Sequence, residues 1–201
     1  MKKYFLILMV TAAVASLMLS ACKSDYERLV ERELASGVRH DSIFMGIYLG
    51  MSAKDFYAQC WELNKQKLIR QGNSNTSVLY EMTELKHKAD MNFYPTFNGD
   101  KILEMPVIFS YTAWAPWNKE LWSDSLILDV KNLMEKWYGP GFIKLEHPEK
   151  GIRWVKVDGN RRIMLWKEDD QQVKALYTDL TMEDELNAEK LANKNAADKK
   201  S

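Results

Sequence analysis

The chain has 201 residues, with 28 basic and 28 acidic side chains and 46% hydrophobic residues. The balanced charge shows no basic excess that would point to nucleic acid or an anionic lipid surface. The length fits one domain or two small halves, with enough apolar residues for a real core.

Met1-Lys2-Lys3 is a short basic segment, and Tyr4 to Leu19 is apolar apart from Thr11 and Ser16. That run falls short of the roughly 20 apolar residues a spanning helix needs. Its layout over residues 1–21 is that of a secretory signal. It closes on Leu19-Ser20-Ala21-Cys22, which resembles the lipobox of bacterial lipoproteins. The resemblance implies a diacylglyceryl thioether on Cys22, cleavage before it, and acylation (palmitate among the chains) of the new amino terminus. Three acyl chains hold a domain to a membrane without a transmembrane helix, since each buried CH₂ adds about 0.8 kcal/mol. Lys23, where that family's sorting rule would place Asp for retention, implies the outer membrane. Asp25 and Glu27 resemble the acidic export signal of Bacteroidetes-type lipoproteins, so the periplasmic and surface faces both stay open. The whole chain also resembles lipoproteins of gut Bacteroidales, a likeness that carries no mechanism. The alternative is an ordinary cleaved signal with an incidental cysteine. With Cys22 lipidated, Cys60 has no partner, no intramolecular disulfide forms, and stability comes from packing.

Residues 22–40 read as a lipidated terminus followed by a tether or short helix that ends at Gly37. Ser42 to Leu49, SIFMGIYL, predicts a strand. In GMSAKDFYAQCWELNKQKLIRQG, Ser52 caps a helix with Asp55 three residues on, and Met51 and Phe56 flank the cap. Phe56, Tyr57, Cys60, Trp61, Leu63 and Leu68 form the apolar stripe, Arg70 lies in the last turn and Gly72 closes it. The spacing predicts a helix over 53–70, with Cys60 as a small buried apolar side chain.

Period-two patterning marks β structure over 77–112. Asn98-Gly99-Asp100 is a hairpin turn signal, and Leu103, Met105, Val107, Phe109 and Tyr111 share one face of the strand that follows. Pro106 on the other face predicts an edge or a bulge. Leu126, Val130, Leu133, Met134 and Trp137 predict a helix over 124–138, stopped by Gly139-Pro140-Gly141. Three strand signals follow: IRWVKV, RRIMLWKE after the turn at Asp158-Gly159-Asn160, and VKALYTDL. The stretch 182–201 has little apolar surface and reads as a charged tail, frayed helix or disordered.

The order predicts an α+β fold: an antiparallel sheet with two main helices packed on one face, in a tandem helix-plus-strands pattern. The expected domain spans 41–181, with halves 41–113 and 114–181. Gly50 to Phe56, GMSAKDF, leading into a capped helix and a β meander, resembles the opening of BamE/SmpA-like envelope lipoproteins. The tandem layout resembles β-lactamase-inhibitor-protein-like domains. Both resemblances imply a non-enzymatic fold that works by binding protein partners.

No chemistry is written in a motif. His40, His87 and His147 are far apart, and none has a second His or Cys at ligand spacing, so no metal site is expected. No cofactor-binding motif and no catalytic residue is legible. His40-Asp41-Ser42 contains triad residue types, but triads are assembled in space rather than in sequence order, and a polar approach to the first strand is the plain reading. Glu168-Asp169-Asp170 reads as a polar hairpin loop, since a solvated turn does not split carboxylate pKa values. The feature worth a hypothesis is YTAWAPWNKELW, Tyr111 to Trp122. Trp114 and Trp117 flank Pro116 in the link between the halves, where large aromatics either anchor a partner or fold inward to complete the core.

The expected function is that of a lipid-anchored envelope protein with a non-catalytic protein-binding or scaffold domain. The alternative is a carbohydrate-binding module using the Trp114/Trp117 loop, and a third reading is an enzyme whose site is not legible in sequence. Two exposed coplanar indoles would favour glycan, one Trp in an apolar patch a protein partner, and a deep cleft joining His and carboxylates an enzyme.

Overall fold

The computed structural model describes residues 23–72, 76–149 and 151–198; the signal segment and Cys22 lie outside the described residues. The fold is α+β, and its centre is a single nine-stranded antiparallel sheet. Helix α1 (Asp25–Ala35) and helix α2 (Ala53–Lys65) precede β1 (Ile69–Gln71), β2 (Val78–Met82), β3 (Ala89–Phe93), β4 (Thr96–Asn98) and β5 (Lys101–Tyr111). Helix α3 (Ser123–Tyr138) precedes β6 (Ile143–His147), β7 (Gly151–Asp158), β8 (Arg161–Lys167) and β9 (Gln172–Asp179), and α4 (Leu180–Asp198) ends the described chain.

The strand order is β1-β2-β3-β5-β9-β8-β7-β6, with β4 hairpinned onto β5. Each half therefore runs helix, then a meander from the sheet edge inward, and the last strands of the two meanders pair at the centre. The tandem pattern is real, and it is fuller than the sequence suggests. Each half gains an outer edge strand, β1 and β6, that the patterning did not disclose.

The register places Met91, Met105, Val107, Phe109, Val173, Ala175, Tyr177, Ile163 and Leu165 on one face. Phe56 of α2 and Leu126, Val130 and Met134 of α3 pack on that face, in one continuous buried core shared by both halves. The opposite face is not left bare. Tyr26, Leu29, Val30 and Leu34 of α1 cover Val155, Val157, Ile143, Leu145 and Met164 at the β6–β8 end. Residues 25–35 are thus a docked helix rather than a tether, capped by the reciprocal Ser24–Glu27 box.

Three local expectations differ. The helix expected to reach residue 70 ends at Lys65, because Lys67 takes a left-handed conformation (φ 59°) and turns the chain into β1. Ser42 to Leu49 is not a strand, although an isolated antiparallel bridge joins Ser42 to Tyr48. It is a tight loop with Met45 at φ 51° and Gly46 at φ 76°, and Ile43, Phe44, Ile47 and Leu49 plug the core from it. Pro106 lies in a central strand rather than at an edge. The flank of β5 changes partner there, from β4 up to Glu104 to β3 from Val107, so the missing N–H falls at a break in the ladder. Residues 182–198 belong to helix α4, and those whose side chains are described are largely exposed; residues 199–201 lie outside the described residues.

Candidate binding cleft

A cleft of ≈ 700 Å³ opens on the helix-bearing face, where the two halves meet. That size falls in the range of small-ligand sites, and so does an apolar lining with a few convergent polar groups. Each wall has a local cause. Leu68 follows the left-handed turn at Lys67, Met45 sits in the core-plugging loop, Tyr80 faces inward from β2, and Trp137 ends the stripe of α3. Leu68 and Trp137 keep 47% and 37% of their surface exposed, which is apolar area no intramolecular partner covers. Among the described residues the non-glycine positions with positive φ are Met45, which lines the cleft, and Lys67, the neighbour of Leu68 in its lining. Such backbone costs about 1 kcal/mol or more per residue and persists only where surrounding structure enforces it.

The inner end is polar, with Asp158 and Arg161 in the lining; both share the inward parity of β7 and β8 with Ile163 and Leu165, as does Lys156 outside the lining. Arg161 Nη1 donates to the Ser42 carbonyl at 2.6 Å, and Nη2 donates to Asp158 Oδ2 at 3.1 Å. The guanidinium lies 4.6 Å from the centre of the Tyr138 ring. Its Nε is buried and makes no hydrogen bond. Lys156 Nζ donates to Asp158 Oδ1 at 2.7 Å and to the Pro140 carbonyl at 2.9 Å. Tyr138 donates to the Ile43 carbonyl and lies 3.2 Å from the Tyr177 hydroxyl. Burial pushes Tyr138 up to about 12, and burial together with the Glu84 carboxylate does the same to Tyr80.

His40, Ser42, Glu84 and Asp158 line the same cleft. The structure thus gathers one histidine and two carboxylates in a concavity, a combination that the spacing of the histidines concealed. No hydrogen bond joins the His40 and Ser42 side chains. His40 is fixed through its backbone N–H, which donates to Asn160 Oδ1 at 2.7 Å, while Asp41 accepts from Asn160 Nδ2 and from Arg39. Arg39 also donates to the wholly buried Asp179 at 2.9 Å, and its hydrogen bond to Asp41 leads the effects that raise its pKa.

The other candidates fall elsewhere. Trp117 is 85% exposed, whereas Trp114 is half-buried with its indole N–H buried and unbonded, so the pair does not present two rings to solvent. Cys60 is half-buried, and burial pushes its thiol up to about 11. Glu168 accepts from Lys174 and Trp166, and Asp169 caps the backbone N–H groups of Gln171 and Gln172, so that acidic run is occupied with turn structure. His87 packs edge-on against Tyr111, and His147 Nδ1 accepts from the Glu149 backbone. Among the described residues no three His, Cys, Asp or Glu side chains converge as a metal site would require, and no helix is long and apolar enough to cross a membrane.

Of the cleft, sequence reasoning weighed only His40 and Ser42. The signal it missed was parity. Arg161 alternates with Ile163 and Leu165, so an inward-facing arginine is readable once β8 is assigned. Comparison with known proteins finds no matching protein family, no matching curated protein and no similar solved structure.

Proposed function

We propose that this chain is a lipid-anchored cell-envelope protein, held through Cys22, whose α+β domain is a non-catalytic binding module. The observation that carries the binding reading is the cleft where the two halves meet, with Leu68 and Trp137 uncovered at its mouth. Against a catalytic role, most polar groups there are engaged in holding the fold: Arg161 by Asp158, Tyr138 by the Ile43 carbonyl, Glu84 by the Tyr80 hydroxyl; His40 is held through its backbone and makes no hydrogen bond to Ser42, so the His and carboxylates form no relay. The docked α1 supports close anchoring. Only two residues separate Cys22 from its first residue, Asp25, so a lipid on Cys22 would hold the domain directly against the bilayer surface, periplasmic or external.

The test is crosslinking and affinity capture from intact cells. Wild type is compared with Leu68→Asp/Trp137→Ala and with Cys22→Ser, with folding checked by near-ultraviolet circular dichroism. The expected result is loss of the captured species in the folded cleft variant and loss of membrane association in Cys22→Ser. Retention of the same species by the cleft variant overturns the cleft, and an unchanged membrane fraction of Cys22→Ser overturns the anchor. Trp117 supports a second reading, contact with an envelope protein through its loop, because a largely exposed indole is a suitable anchor. The glycan reading has less support, since Trp114 is half-buried with its indole N–H closed to solvent.

A further inference from the structure

The sheet ends on two unlike edges. Strand β1 has three residues, whereas β6 runs for five, Ile143–His147, and pairs with β7 on its inner side. Its outer side meets no partner strand among the described residues. Such an edge directs the N–H and C=O groups of alternate residues outward, a template for another chain. The β6 sequence is IKLEH. Ile143 and Leu145 lie on the α1 face, packed with Tyr26, Leu29, Val30 and Leu34. Lys144 and Glu146 lie on the opposite face and are exposed. The charges are antisymmetric about Leu145, with a cation just before it and an anion just after it. When a second copy is laid antiparallel and centred there, Lys144 stands opposite the partner's Glu146, Glu146 opposite the partner's Lys144, and Leu145 opposite its own counterpart. Centring the pair on Lys144 or on Glu146 sets like charges directly opposite each other, which is destabilising. Within one copy Lys144 Nζ donates to Glu146 Oε1 at 2.7 Å, with side-chain exposures of 44% and 72%. An exposed pair of this kind contributes little, so it exchanges readily for the two intermolecular pairs.

From this we infer that β6 is an interface between two copies of this chain, which pair edge to edge about Leu145 into one continuous sheet. The two-fold axis of that pairing stands perpendicular to the sheet and preserves its faces. Helix α1 of both copies therefore lies on one side, and α2 and α3 of both lie on the other. Both chain segments leading back to Cys22 start from the same side, as two lipids in one bilayer require. That agreement bears on the lipid anchor; the pairing itself rests on β6. A five-residue edge makes a small interface, below the about 1,200 Å² of a standard one, so association is weak in dilute solution and is favoured where anchoring confines the copies to one surface.

The test uses full-length chains carrying two different tags, expressed together. With Leu145→Cys in both, mild oxidation should trap a disulfide-linked dimer, since directly opposite residues hold their Cβ atoms about 4.5–5.5 Å apart. Trp117→Cys, exposed and outside β6, should give none, and the unsubstituted chain reports any contribution of Cys22 or Cys60. Charge reversal then reads the register. Lys144→Glu in both copies, or Glu146→Lys in both, sets two like-charged pairs across the axis and should lower the trapped dimer about tenfold. Lys144→Glu in one copy with Glu146→Lys in the other restores opposite charges across the axis, and should restore a dimer joining the two tags. Each reversal also breaks the pair within its own copy, so recovery in the mixture is intermolecular. Co-capture of the two tags with the same charge variants and native Leu145 decides if Leu145→Cys does not fold. A dimer indifferent to charge reversal, no recovery in the mixture, or no dimer from the folded protein overturns the inference. The dimer is read in whichever fraction holds the protein, and fractionation of Cys22→Ser tests the anchor separately, so the two failures are distinguishable.

Discussion

At the residue scale, Lys67 shows how a single backbone conformation redirects the chain. Helix α2 ends in a Schellman arrangement: the Leu68 N–H donates to the Leu63 carbonyl at 3.0 Å and the Lys67 N–H to the Asn64 carbonyl at 2.9 Å. The position between needs φ > 0, and a lysine occupies it with its side chain in solvent. Lys67→Gly should therefore stabilise the protein by about 1 kcal/mol, read as a higher urea midpoint at unchanged slope. A lower midpoint would show that the Lys67 side chain contributes more than its backbone costs. The same residue explains why the helix end was misread: the Gly-based stop signal pointed to Gly72, and a left-handed lysine leaves no mark in sequence. Cys60 carries the second prediction. Its thiol titrates at about 11 rather than 9.0 because burial disfavours the thiolate. The folded state keeps a proton that the unfolded chain releases, so stability should fall as pH rises from 9 through 11, and Cys60→Ala should remove the cysteine's part of that slope. Tyr80 and Tyr138, pushed up to about 12, add to the alkaline loss in both proteins, so the comparison isolates the thiol. Alkylation near pH 8 should run about a hundredfold slower than for a free thiol, following the smaller thiolate fraction.

At the scale of elements, legibility followed burial. Helix α3 and the inner strands β5, β7, β8 and β9 could be read because one face of each is apolar at the right period and the turns at Gly99 and Gly159 are marked. The outer strands could not: β1 has three residues, and β6 buries none of its side chains fully. Their pairing is imposed by neighbours rather than by their own pattern. The loop 43–49 failed for the opposite reason, since apolar residues that plug a core look like a strand until the left-handed Met45 is known. Helix α1 is the least secured element, with no residue fully buried and its docking carried by Tyr26, Leu29, Val30 and Leu34. Val30→Asp should undock it at a cost of about 1–2 kcal/mol. In hydrogen exchange the amides of α1 should then lose protection while β5 and β9 keep theirs. Loss of protection across the whole sheet would mean instead that α1 is integral to the core.

At the scale of the molecule, the question is whether the two helix-plus-meander halves are two folding units or one. Repeated patterns suggest independence, but the packing argues otherwise. Seven residue pairs join β5 to β9 from Glu104–Thr178 to Ser110–Gln172, more than join β5 to β3 within its own half. The core drawn from α2, α3 and both meanders is continuous. A hydrogen-bonded chain from Tyr177 through Tyr138 to the Ile43 carbonyl further ties the central strand to α3 and to the loop entering the first half. Neither half could expose its central strand to water without uncovering Val107, Phe109, Val173 and Ala175 together. Urea unfolding should accordingly be a single transition, with coincident tryptophan fluorescence and far-ultraviolet circular dichroism. Val107→Ala, at the junction but belonging to the first half, should cost about 2 kcal/mol. It should lower the protection of β2–β3 and of β7–β8 amides equally, because the loss is shared through one cooperative unit. Two resolved transitions, or a loss confined to β2–β3, would make the halves separate units and the cleft between them a hinge rather than a fixed site. A single shared response would mean that the walls bearing Leu68 and Trp137 are held by the same core, so that the cleft is pre-formed and its affinity is not diminished by the cost of assembling it.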